Sequence, residues 1–166
     1  MPSDMYIKID GIDGESVDAD HEQWIGVLRY THGVIQPVSA AGATGGRTGG
    51  HATFNDFVIT KTVDSATVAL NIHACNGKHI PEVEVHLCLA SEEKHVYMKY
   101  ILSDVIVSSV VVDKTSEDGA LLGTKPTETV SFAYGKIKWD YTAIDDTGAA
   151  GAADNKTWNV ATGKQE

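Results

Sequence analysis

Basic residues are scarce in this chain. Lysine and arginine total 13 against 23 aspartates and glutamates, a formal charge of −10 with the seven histidines neutral. Nucleic acids are held largely by cations that displace condensed counterions, so nucleic-acid binding is not expected. The same excess of acid disfavours docking on an anionic bilayer. Cysteine is nearly absent: Cys75 and Cys88 cannot build a disulfide framework and are expected as reduced, partly buried thiols. Long apolar runs are missing too. The strongest, Val105 to Val112 (VIVSSVVV), is far short of the roughly 20 residues a membrane helix requires, so no membrane insertion is expected. The opening MPSDMYIKIDG carries Asp4 and no signal-peptide apolar run, which argues against export by the Sec route.

Signatures of catalysis are also lacking. The Gly-rich segment contains neither G-x-x-x-x-G-K-[ST] nor G-x-G-x-x-G, and its cation is Arg47. His73, His79 and His86 follow one another at spacings that match no zinc motif, with Glu84 beside His86 on one strand face. No G-x-S-x-G elbow is present. The carboxylate pairs Glu92/Glu93 and Asp145/Asp146 lie in polar, loop-like stretches and read as solvated. Neither catalytic residues, a cofactor nor a metal is expected.

What is present is β structure. At 166 residues and 42% apolar composition the chain supports one core and a single domain, residues 1–166. In PEVEVHLCLA, Val83, Val85, Leu87 and Leu89 alternate with Glu82, Glu84, His86 and Cys88, the period of a half-buried strand. MYIKID and GKIKWDY repeat the pattern, and WIGVLRYTHGV, FNDFVITKTV and TETVSFAY add β-rich segments. From Val96 to Val112 apolar residues fall on both faces, which calls for double burial or, more in keeping with a small chain, a covering subunit. One helix is expected over Ser65 to Asn76, capped by Asp64 or Ser65, with Val68, Ile72 and Cys75 at helical spacing and Gly77 to stop it. Long small-residue loops are expected over Ala40 to His51, Asp113 to Pro126 and Asp145 to Lys156. Such loops carry few side chains that hold a substrate but can lie along a neighbouring surface. The fold class is then mainly β, a two-sheet β barrel or sandwich with one short side helix.

The order of motifs goes further. YIKIDGIDGESVDADHEQWIGVLRYTHGV, then DFVITKTVDSATVALNIHACNGKHIPEVEVHL with its T-K-x-x-D and G-K-H, then LSDVIVSSV, ETVSFAYGKIKWDY and TWNVATGK resemble the haemolysin-coregulated (Hcp) family of type VI secretion, from about residue 4 to residue 164. Gly26, Arg29, His32 and the run SFAYGKI depart from the family's usual residues. The resemblance implies a subunit that closes as a homo-hexameric ring with a central pore. Rings stack into a tube tipped by a spike protein, driven out by a contractile sheath and able to hold small effector proteins. It implies residence in the cytoplasm before firing and secretion without a signal peptide. It also implies that the strand from Trp24 to Val34 helps line the pore. Val27, Arg29, Thr31 and Gly33 share one face of that strand, and Leu28, Tyr30, His32 and Val34 share the other, more apolar one, expected in the core. Arg29 and Thr31 are therefore the candidate lumen-facing residues. Gly42, Gly45, Gly46, Arg47, Gly49 and Gly50 are the candidate ring-contact loop. A phage-like tail-tube protein shares the same physics; a small β-barrel hydrolase or metal enzyme and a monomeric ligand-binding barrel are the readings from other classes.

Overall fold

Ile7 and Ile9 point into the core while Lys8 and Asp10 face outward, as the alternation in MYIKID implies, and around this strand, β1 (Met5–Ile9), the barrel is assembled. The computed structural model describes residues 5–39, 49–89, 94–113 and 125–166. In chain order follow β2 (Ile25–Gly26), β3 (Arg29–Thr31), β4 (Val34–Ile35), β5 (Thr53–Phe54), β6 (Phe57–Thr62), helix α1 (Thr67–Asn76), β7 (Ile80–Leu89), β8 (His95–Asp113), β9 (Thr127–Ile144), β10 (Ala150–Asn159) and β11 (Lys164–Gln165). The main sheet runs β11-β10-β9-β8-β7-β1-β2, all its described pairings antiparallel. The first half of β9 also pairs with β6, and β6 with β3.

The barrel closes where the chain changes partners. The Val27 amide donates to the Met5 carbonyl at 2.9 Å, whereas the next amide, Leu28, donates to Thr60 on β6 at 2.8 Å. The Trp24–Val34 segment is accordingly three short strands and not one. The expected faces are corrected by the same break in alternation: Val27 is buried, Leu28 and Val34 are exposed, and Tyr30 and His32 are half-buried. Arg29 and Thr31 are exposed, as expected.

A second break explains the two-faced apolar run. In β8, Leu102 is buried, then Val105 and Val107; in β9, Phe132 and then Ile137; in β7, Ile80 and then Val83. The buried side changes parity in all three strands along a line through Pro81, Asp104 and Gly135. There Asp104 has φ +53, and a Cβ on Gly135 would sit 3.1 Å from its carboxylate. The strands turn their faces over at this corner, so one long strand serves both leaves of the barrel. Helix α1 also packs on β8. Leu102, Val105 and Val107 of this run are thus buried within the chain, whereas Val111 (58% exposed) and Val112 (51%) are left uncovered by it.

Helix α1 starts two residues later than expected. Asp64 accepts the Ala66 amide at 2.9 Å and Thr67 Oγ1 accepts the Asp64 amide at 3.1 Å, while Gly77 at φ +63 ends the helix. Its buried side is Leu70, with Ala66, Ala69 and Ala74 against the core. Val68 (74% exposed), Ile72 (55%) and Cys75 face outward. The helix presents Leu70 and its alanines to the sheet and leaves the β-branched Val68 and Ile72 to the outside. The expected loop Asp145–Lys156 is likewise mostly strand. Asp145 accepts the Thr147 and Ala149 amides at 2.8 and 3.0 Å in a tight turn, after which β10 pairs with β9 from Ala150 onward. Its small, exposed side chains carry no alternation to betray it.

Candidate functional site

Arg29 and Thr31 stand on the outer face of the wall formed by β3, β6, β9 and β8. Register extends Arg29 into the row Thr60, Thr129, Val111, and Thr31 into the row Val58, Ser131, Ser109. Arg29 is the charged residue of these two rows; Ser109 and Ser131 share a 3.0 Å hydrogen bond. Alternation sends Lys61 of β6 and Glu128 of β9 inward, while Asp113 of β8 stays on the outer side in the next row, beside Thr127. Lys61, 0% exposed, is held by Glu128 at 2.5 Å, Asp64 at 2.7 Å and the Thr62 carbonyl at 3.0 Å; Thr67 Oγ1 donates to the same Glu128 oxygen at 2.8 Å. This cluster ties the start of α1 to the wall and accounts for the T-K-x-x-D spacing. Sequence patterning held a signal for it: Lys61 continues the buried series Phe57, Ile59, and Glu128 precedes Val130 and Phe132 on the inward parity.

The Gly-rich segment divides at the limit of description. Gly42, Gly45, Gly46 and Arg47 lie outside the described residues. Gly49 bridges to Val38, and the Gly50 amide donates to Pro37 at 2.9 Å. These contacts extend the two-stranded sheet β4–β5, on which Val34, Ile35 and Val38 are exposed. A Cβ on Gly49 would meet the end of the exposed Gln36 side chain, Nε2, at 2.7 Å, so a larger residue there displaces that side chain. Beneath this sheet Phe54 meets Tyr134, Trp139 and Trp158, and His32 stacks on Phe57 at 5.7 Å. His32 thus packs as an aromatic ring does, and burial lowers its pKa. Burial also raises the neighbouring Tyr134, to about 12, and Tyr100.

The residues weighed for metal binding do not come together. His73 bonds the Ala69 carbonyl, His79 pairs with Asp104 at 2.7 Å on the surface, and His86 lies under residues 13–24. There the imidazole of His21 bridges Asp18 and His86, with Glu84 on the far side of His86. Sixty-five positions separate His21 from His86; the sequence placed His86 and Glu84 on one face but offered nothing to bring His21 to them. Among the described residues no helix is long and apolar enough to cross a membrane.

Comparison with known proteins agrees with these features. Residues 6–141 match the sequence model described as type VI secretion system effector, Hcp. The chain is 31% identical over 162 residues to protein hcp1 of Pseudomonas aeruginosa, covering 96% of each. It superposes on a solved type six secretion system protein with a TM-score of 0.89 at 32% identity, covering 98% of each chain. A type VI secretion system effector from Yersinia pestis gives 0.71 at 28% identity, covering 93% of this chain and 98% of the other.

Proposed function

The chain belongs to the Hcp family of type VI secretion, and on that footing we propose that it is a structural subunit of the inner tube rather than an enzyme. Six copies close into a ring, rings stack into a tube beneath a spike protein and inside a contractile sheath, and small effector proteins travel in the lumen. The chain resides in the cytoplasm until firing and leaves without Sec processing. The observation that supports this place for it is the outer face of the β3-β6-β9-β8 wall. The rows through Arg29 and Thr31 are threonine, serine and valine with Arg29 as the charge, and the next row, Thr62 and Thr127, ends in Asp113, a sparsely charged surface along which a folded cargo slides with few ion pairs to trap it. We assign Arg29 and Thr31 to the lumen. Subunit and ring contacts have two sources of surface: the β4–β5 sheet with its exposed Val34, Ile35 and Val38 leading into the Gly42–Gly50 segment, and the exposed stretch 150–156 of β10. A repeated head-to-tail contact of this kind closes when its rotation permits.

The test pairs microscopy with retention. Purified protein shows six-fold rings with an open centre, and Arg29→Glu or Thr31→Gln leaves the rings intact while lowering co-purification of a lumen-held effector. Monomer at all concentrations in sedimentation overturns the ring. Intact rings with unchanged effector retention overturn the lumen assignment, and loss of rings moves β3 to the subunit interface.

A further inference from the structure

Two histidines outside the tube-forming surfaces share an unusual hydrogen-bond chain. Asp18 Oδ1 lies 2.9 Å from His21 Nδ1, His21 Nε2 lies 2.9 Å from His86 Nδ1, and His86 Nε2 lies 2.6 Å from Glu84 Oε1. All four ring nitrogens are engaged in three contacts, and a carboxylate stands at each end. The rings are confined on every side: Tyr6 stacks on His21 at 4.3 Å, and Trp24 packs edge-on to His21 and tilted against His86. His21 is 1% exposed.

Each contact needs one hydrogen. Both carboxylates are acceptors: Asp18 is held down to about 2, chiefly by Lys94, and Glu84 is lowered first by its bond to His86. The end hydrogens therefore belong to His21 Nδ1 and His86 Nε2, and the middle contact takes a third, giving three protons on four nitrogens. Burial lowers the basicity of His21, against the pull of its bond to Asp18, so His21 Nε2 is the acceptor in the middle contact. A fourth proton would set N–H against N–H across 2.9 Å in a buried site, and the middle bond would be lost.

That bond fastens a segment. Residues 13–24 cross the outer face of β1 and β7 with their own hydrogen bonds, Gly14 N–H to Gln23 O at 2.7 Å and Ser16 N–H to Trp24 O at 3.0 Å. The charged and titratable groups facing the pair are Tyr6 and Lys8 on β1, Glu84 on β7, Lys99 opposite His86 on β8, Lys94, and Asp18 on the segment itself. We propose that His21 and His86 form a proton-operated latch: three shared protons hold residues 13–24 on the barrel, and a fourth releases them. The sign follows from His21. Its proton affinity is lower folded than unfolded, so its neutral form stabilises the closed segment above its ordinary pKa of 6.5, and that stabilisation is lost as the pH falls below it.

The test uses the full chain labelled with ¹⁵N-histidine. Long-range proton–nitrogen spectra at pH 7, assigned through His21→Gln and His86→Gln, are expected to show His21 neutral with its proton on Nδ1 and His86 protonated on both nitrogens. Two neutral rings, or a proton on His21 Nε2, overturn the proton count. Hydrogen exchange then reads the latch. From pH 7 to pH 5, exchange at Gly14 and Ser16, corrected for intrinsic rates, is expected to rise about tenfold or more relative to barrel amides, and to stay flat in His86→Gln. An unchanged wild-type profile overturns the latch even if the variants do not fold.

Discussion

Replacing Lys61 with methionine removes the sole cation of the buried cluster and leaves Glu128, 1% exposed, without its counter-charge. Glu128 is already poorly served: its Oε2 has no hydrogen-bond partner among the described residues, and without Lys61 its Oε1 keeps only the 2.8 Å bond from Thr67. Methionine fills a similar volume, so the loss is electrostatic and not a cavity. Breaking a buried ion pair in this way costs about 3–5 kcal/mol, and for a chain of this length each kcal/mol moves Tm by about 2–4 °C, giving a fall of roughly 6–20 °C. Urea unfolding followed by tryptophan fluorescence at fixed protein concentration measures it, the fixed concentration being required because assembly stabilises by mass action. The double variant Lys61→Met/Glu128→Leu removes the stranded charge and should recover most of the loss. A single variant within about 1 kcal/mol of wild type, or a double variant no better than the single, refutes the cluster's role.

The helix offers a sharper contrast. Leu70→Ala, at a fully buried site, should cost about 2–5 kcal/mol in the same assay, whereas Ile72→Ser on the exposed side should stay within about 0.5 kcal/mol; the reverse order would mean the helix presents its other face to the barrel. Asp18, depressed to about 2 from 3.8 mainly by Lys94, stabilises the fold above pH 4 and loses that contribution as the pH falls through 2. The stability gap between wild type and Lys94→Met should therefore shrink between pH 5 and pH 2, and a gap independent of pH would show that Lys94 acts through packing alone.

Amphipathic alternation made most strands legible: Ile7 and Ile9, Val83 and Val85, and Ile137 occupy the buried positions that a period of two assigns them. Gly77 ends the helix because a left-handed residue is needed there, a local requirement that one residue type meets. Motif order along the chain was sufficient for the family, and the exposure of Arg29 and Thr31 was legible from their own strand. Tertiary structure decided the rest. The side of α1 that is buried depends on how the helix docks on the sheet, which covers Leu70 and alanines and leaves Val68 and Ile72 outside. The parity change along Pro81, Asp104 and Gly135 is a property of three strands bending together, so the pattern of β8 alone showed apolar residues on both faces but not where the core changes sides. Lys61 meets Glu128, and His21 meets His86, across separations of 67 and 65 residues. Hydrophobic periodicity places a residue on a face, but only the closed barrel determines which charges and protons two such faces must share.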